Sequence, residues 1–283
     1  MKVMKNLALT IFFVLSIAQT SGQVDPGKLP AEVYRHDPDL KLYFAYPEGK
    51  QDTGEKLPTI VFFFGGGWRT GSVNAFARQA EHFSRRGMLV VLADYRINSK
   101  HQTTPFDAVQ DAKSAMRYVK AHADRLRVDT TRLAAGGGSA GGHLAACTAF
   151  CPGNDSPDDD LSISPVPKAL VLYNPVVDFS LFQNRLENMQ IGDRHLTISP
   201  YHHIVKGAPP TLIMHGTDDA TVPAWTVEAF SKKMTEMDNY CVLKLYEGYG
   251  HGFFNYRDNN PTPYNLTIKD ADDFLTSLGF IEK

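Results

Sequence analysis

Seven short apolar runs, bounded by Gly, Pro or Asp, punctuate this chain, and stretches of helical periodicity lie between them. The runs read "LKLYFAYP", "PTIVFFF", "MLVVLADY", "RLAAGG", "KALVLYNP", "PTLIMHG" and "CVLKLYEG". Most are apolar at successive rather than alternate positions and rich in Val, Ile, Leu and Phe, the composition of strands buried on both faces. The clearest helical pattern starts at Pro105, with Phe106, Val109, Ala112, Met116 and Val119 at three- and four-residue spacing. Pro105 suits a first helical turn and Thr104 its N-cap. Strand, helix, strand, helix demands crossover connections, hence an α/β fold: a mostly parallel central sheet with helices on both faces. No internal repeat interrupts the pattern. The acidic stretch "CPGNDSPDDDLSISP" is too short for an interdomain linker; its carboxylates suit calcium chemically, but it reads as a solvated loop. Residues 23–283 are therefore expected to form a single domain.

The residues before that domain carry a different signal. Lys2 and Lys5 precede an apolar run, Leu7 to Ala18, followed by the small residues Thr20, Ser21 and Gly22. This is the layout of a secretory signal peptide over residues 1–22. The run falls short of the ~20 residues that span a bilayer, so no stable membrane anchor is expected. No cysteine lies nearby for a lipoprotein anchor. Cleavage near Gly22 would leave the protein secreted or periplasmic. The formal charge of −2 becomes −4 without Lys2 and Lys5, and no basic block occurs; nucleic acid and anionic membrane are poor partners. Three cysteines make no disulfide framework in an exported chain of this length. Cys147 and Cys151, one helical turn apart, read as small buried hydrophobes.

One stretch concentrates five glycines around a serine: "AAGGGSAGGH", Ala134 to His143. A P-loop would need a Gly-Lys-Ser/Thr ending, and a dinucleotide fingerprint an acid closing the next strand; neither is present. Gly137-Gly138-Ser139-Ala140-Gly141 instead fits G-x-S-x-G, a serine held on a strained strand-to-helix turn. "RLAAGG" supplies the strand before it and "AGGHLAACTAF" the helix after.

A serine hydroxyl needs a base. Of the ten histidines, His36, His82, His101, His122 and His195 sit in polar or helical surroundings, and the adjacent His202 and His203 make a poor metal pair. His143, one turn after Ser139, reads as packing or bonding locally. His251, in "EGYGHGFF" just past the last strand, can swing over the carboxyl edge of the sheet and is the expected base. The orienting acid belongs after the preceding strand, where Asp218 and Asp219 both stand; spacing does not choose between them. One of the two is expected to cap the helix beginning near Pro223 or to face solvent. The three glycines of "IVFFFGGGWRTGS" follow a buried strand well upstream, and the amides of Gly66, Gly67 and Ala140 are the expected oxyanion donors.

Together "FFFGGGWRTGS", "ADYR", "TTPFDAVQDAKSA", "GGGSAGGH", "YNPVVD", "HGTDDATVP" and "YGHGFF" resemble the α/β-hydrolase superfamily. Within it they resemble the bacterial esterase/lipase group related to hormone-sensitive-lipase-like carboxylesterases. The likeness runs from about Lys41 to Lys283. It implies that Asp219, fifth in its motif, is the acid. It also implies a short cap between Pro175 and Gly207, holding Asp178, Phe179, Phe182 and Tyr201. Where relatives commonly have a histidine before the glycines, this chain has Phe64. Similar exported proteins include feruloyl and acetyl esterases, so the implied substrate is a carbohydrate ester or small ester. The expected protein is a secreted serine esterase acting through Ser139, His251 and Asp219, with no metal and no organic cofactor. A serine peptidase of the same fold and a non-catalytic binding module are the alternatives; the first usually has a gating domain, and the second usually lacks a triad residue.

Overall fold

The computed structural model describes residues 24–50, 53–182 and 192–283; the expected signal peptide lies outside the described residues. Eight strands form one sheet: β1 (Ala31–Arg35), β2 (Leu40–Ala45), β3 (Leu57–Phe63), β4 (Leu89–Ala93), β5 (Val128–Gly138), β6 (Ala169–Tyr173), β7 (Thr211–Gly216) and β8 (Cys241–Tyr246). Their order is β1-β2-β4-β3-β5-β6-β7-β8. From β4 to β8 every pairing is parallel, while β2 runs antiparallel to both β1 and β4. All residues of β4, β6 and β7 are buried, which is why their sequences are apolar without alternation. β1 was not among the seven apolar runs: "AEVYR" is an edge strand with no fully buried residue.

The helices are α1 (Ala77–Arg85), α2 (Asn98–His101), α3 (Pro105–Ala121), α4 (Ala123–Leu126), α5 (Ala140–Phe150), α6 (Ala224–Glu236) and α7 (Thr262–Ser277). α3 starts where the sequence places it: Asp107 Oδ2 accepts both the amide (2.8 Å) and the hydroxyl (2.7 Å) of Thr104. Two separated motifs meet on this helix. Arg96, just past β4, lays its guanidinium on the buried carboxylate of Asp111, with Nη2 2.8 Å from Oδ1, and its backbone amide donates to Oδ2 at 2.9 Å. The acidic loop after α5 departs from the solvated expectation. Asp155 and Asp159 each lie 2.7 Å from the Arg117 guanidinium of α3, so half of its acids dock the loop instead of facing water. Cys147 and Cys151 are buried, as read from the sequence, and their thiols are unbridged.

The parallel strands point their carboxyl ends the same way, so the loops after β3, β5, β6, β7 and β8 converge along one edge. In open α/β sheets this edge is where ligands bind.

Candidate active site

β5 ends at Gly138 and α5 begins at Ala140, leaving Ser139 alone to make the turn, at φ +54° and ψ −118°. That is a left-handed backbone on a residue with a Cβ, sustained only where the surroundings fix it. Ser139 N–H donates to Tyr173 O at 2.9 Å, and Ser139 O accepts from His143 N–H at 3.0 Å. The flanking glycines let the turn sit directly on β3. A Cβ at Gly141 would lie 2.0 Å from Phe63 O, and one at Gly137 would lie 2.4 Å from Gly141 O.

Ser139 Oγ is 2.8 Å from His251 Nε2, and His251 Nδ1 is 2.7 Å from Asp219 Oδ2. An ionised carboxylate only accepts, so Nδ1 carries the proton and Nε2 faces the hydroxyl as acceptor. The other oxygen, Asp219 Oδ1, accepts the amides of Thr221 (2.9 Å) and Val222 (2.8 Å). Burial pushes the Asp219 carboxyl up, but the His251 and Val222 hydrogen bonds outweigh it and hold the group below its usual range. Asp218 is exposed; among the described residues its side chain accepts from its neighbour Thr217, at 3.2 Å. The ambiguity between the two acids is thus resolved in geometry: Asp219 reaches His251 and Asp218 points to solvent.

Of the predicted oxyanion donors, Gly66 and Gly67 line the same cleft as Ser139. Ala140 is the first residue of α5, where amides have no intrahelical acceptor. Gly66, Gly67 and Trp68 have consecutive positive φ values of +129°, +61° and +58°. A Cβ at Gly66 would lie 2.1 Å from Thr70 O, whereas one at Gly67 meets nothing within 4 Å. The turn closes on the Gly66 carbonyl, which accepts from Arg69 and Thr70 N–H at 3.1 Å each. Phe64, where the resemblance implies a histidine, stacks on Tyr95 with centroids 4.1 Å apart, and Tyr95 Oη donates to Phe64 O at 2.7 Å.

Two residues of the site went unread in the sequence. His215, within β7, is fully buried; its Nε2 donates to Val222 O (2.8 Å) and lies 3.4 Å from Asp219 Oδ2. Burial keeps it neutral by pushing its pKa down. Its only signal was a histidine in an apolar run directly before the acid loop. Asn174, after β6, is the second, with φ +34°. Its Oδ1 accepts from Gly252 N–H at 3.1 Å, fixing the residue next to His251. A polar residue closing an apolar strand at the carboxyl edge was the available signal.

The cleft holds about 430 Å³ and is lined by Ala75, Phe76 and Phe254 beside Ser139, Asn174 and His251. Phe254 packs so tightly under the turn that a Cβ at Gly138 would lie 2.3 Å from its ring. The cap aromatics do not form its wall: Phe179 is buried against Trp68 and His143, and Tyr201 sits under Lys233. The side chain of Phe182 lies outside the described residues. The remaining histidines are engaged elsewhere, as in His82 with Asp272 (2.8 Å) and His202 with Ser199 (2.9 Å).

The BD-FAE family model matches residues 45–234, from β2 to α6, including Ser139, Asp219 and the glycine loop. The chain belongs to the BD-FAE family. Among solved structures, this BD-FAE chain is similar to the apo form of Thermogutta terrifontis esterase 2. The two are 42% identical with a TM-score of 0.86, over 92% of this chain and 98% of that one. The same esterase phosphonylated by sarin superposes with a TM-score of 0.87 at 40% identity, over 92% and 98% of the two chains. The probable carboxylic ester hydrolase LipM of Mycobacterium tuberculosis is 28% identical over 74% of this chain and 54% of its own length. The BD-FAE chain spans about half the length of the first curated relatives it matches. Fold and family are those of α/β-hydrolase esterases related to the hormone-sensitive-lipase-like carboxylesterases.

Proposed function

We propose that this chain is a serine carboxylic-ester hydrolase that works through an acyl-enzyme. The single observation that carries the reading is the unbroken hydrogen-bond chain Ser139–His251–Asp219 at the floor of the cleft, 2.8 Å and 2.7 Å in its two links. Ser139 Oγ attacks the ester carbonyl as its proton passes to His251 Nε2, while Asp219 holds the tautomer and stabilises the imidazolium. The developing oxyanion is met by the amides of Gly66, Gly67 and Ala140, at the positive end of α5. The imidazolium then protonates the leaving alcohol. Water, deprotonated by His251, releases the acid and restores the serine.

The acyl group is a short one, in keeping with the ligands of the related esterase 2; Phe76 and Phe254 line the cleft next to Ser139. The related esterase 2 has been seen with propionate and with butyrate bound. The alcohol is a carbohydrate or another small alcohol, in keeping with an exported protein carrying the leader pattern of residues 1–22.

The test is threefold. A fluorophosphonate should add once, at Ser139, by intact mass and peptide mapping. p-Nitrophenyl acetate and butyrate should be cleaved faster than the octanoate, and peptide p-nitroanilides not at all. Acid release from acetylated and feruloylated polysaccharides, read by mass spectrometry, addresses the alcohol. Absence of the adduct together with absence of ester turnover would sink the reading; preference for the anilide would move it to a peptidase.

A further inference from the structure

His143 stands one turn after Ser139 on α5 and is fully buried, yet both its ring nitrogens are used across long sequence distances. Trp68 Nε1–H donates to Nδ1 at 3.2 Å, and Nε2 lies 2.6 Å from Ile198 O. An indole N–H only donates and a carbonyl only accepts, so the ring is neutral with its proton on Nε2. Edge-on contact with Trp68 (centroids 5.1 Å apart, 90°), Phe179 against both rings (5.0 and 5.1 Å) and the Cys147 thiol 3.3 Å from Nε2 surround the ring.

Trp68 directly follows Gly67, and its left-handed φ of +58° is unfavourable for a bulky side chain, by about 1–2 kcal/mol. Gly66 and Gly67 adopt positive φ freely, so the strain in this loop falls on Trp68 alone; relaxing that residue would carry the Gly66 and Gly67 amides away from Ser139. Its backbone is tied at Trp68 O, which accepts from Asn98 N–H at 2.9 Å. Its side-chain tie runs to His143, on the same helix whose first amide is the third donor.

We propose that His143 is a positioning residue for the oxyanion hole, holding the Trp68 indole so that the amides of Gly66 and Gly67 stay in register with Ser139 and Ala140. This rests on the ester-hydrolase reading above. His143 touches no substrate; it sets the distance between the two halves of the hole. Because the oxyanion exists only beyond the ground state, loss of that register lowers kcat and leaves KM nearly unchanged.

The test uses the full-length enzyme and p-nitrophenyl acetate. His143→Leu and Trp68→Phe, the second keeping a packed ring, should each lower kcat by roughly 10- to 100-fold with KM within about threefold. The double variant should be no worse than His143→Leu alone, since Trp68→Phe removes only the bond that His143→Leu has already lost. The amide oxygen of an asparagine falls near the place of Nδ1, whereas that of a glutamine extends toward Nε2. His143→Asn should therefore recover to within about fivefold of wild type, and His143→Gln should not. Only two tryptophans are present, so in a Trp225→Phe background the Trp68 emission should shift in His143→Leu and return in His143→Asn. If His143→Leu fails to fold, Trp68→Phe alone decides. A folded Trp68→Phe with kcat within about threefold of wild type overturns the proposal, as does equal rescue by Asn and Gln. Failure of the underlying reading looks different: wild type itself would show no turnover and no fluorophosphonate adduct.

Discussion

Asp219 divides its carboxylate between His251 and the backbone. Oδ2 lies 2.7 Å from His251 Nδ1, while Oδ1 accepts the amides of Thr221 and Val222. The loop thus fixes the plane of the carboxylate before any substrate arrives. Asp218, one residue earlier, has its side chain in solvent.

Asn at 219 can turn its amide NH2 toward His251 and impose the wrong tautomer, which costs ~10⁴ in kcat in the best-studied serine protease. Asp219→Asn should fall by several orders of magnitude. Asp218→Asn should stay within about tenfold of wild type, and Ser139→Ala should be inactive yet folded. Steady-state kinetics beside circular dichroism on the three purified variants checks the ranking; the reverse order for the two acids would reassign the role.

The glycine loop separates two kinds of constraint. Gly66→Ala puts a Cβ 2.1 Å from the Thr70 carbonyl, so the loop must open. Turnover should drop at least 100-fold, as for a lost oxyanion donor (~10²–10³). At Gly67 a Cβ meets open space, leaving only a positive-φ penalty of roughly 1 kcal/mol. Gly67→Ala should retain at least about ten times the kcat of Gly66→Ala. Equal losses would show that the close contact is not what matters.

The Arg96–Asp111 pair should dominate the stability of the sheet's first half. Asp111 is fully buried between the guanidiniums of Arg96 (2.8 Å) and Arg35 (3.4 Å). Asp111→Ala leaves Arg96 and Arg35 without the buried carboxylate between them, Arg96 keeping the longer ion pair with Asp107 at 3.4 Å, and breaking such pairs costs about 3–5 kcal/mol. Thermal unfolding should shift down by roughly 10 °C or more for a domain of this size. A shift under about 3 °C would mean water replaces the carboxylate without penalty.

Burial holds His143 at about 4, against 6.5 for a free imidazole. Between those values the unfolded chain binds a proton that the folded chain refuses. This group therefore supports the fold fully above about pH 6.5 and loses its contribution as pH falls toward 4, about 2–3 kcal/mol in all. His143→Asn carries no such group. Between pH 7.5 and 4.5, urea unfolding of wild type should weaken by about 2 kcal/mol more than that of the variant. Parallel curves would show that the buried ring is not what titrates.

Local pattern made the strand-to-helix turn at Ser139 legible. G-x-S-x-G between an apolar run and a helix former stretch is a backbone requirement written in consecutive residues. His251 could be placed for the same reason, since a glycine-flanked histidine after the last strand has few other positions to occupy. Helix α3 announced itself through Pro105 and Thr104. The edge strand β1 did not, because a half-exposed strand carries no apolar run, and the acidic loop looked solvated because its partner Arg117 sits on another element.

What the chain alone left open was decided by contacts between distant segments. Asp218 and Asp219 are equivalent in spacing. They differ because the loop after β7 presses on the His251 loop, with Asp218 N–H donating to Tyr249 O and a Cβ at Gly216 excluded by the same carbonyl at 2.0 Å. Trp68 and Ile198 lie 75 and 55 residues from His143, and Gly252 lies 78 from Asn174. A buried polar side chain is defined by the group it must satisfy, and sequence spacing does not encode that group until the sheet brings its carboxyl ends together. Residue type and local period determined the elements and the turn that carries Ser139; the convergence of loops at one edge determined that Asp219, and not Asp218, meets His251 beside it.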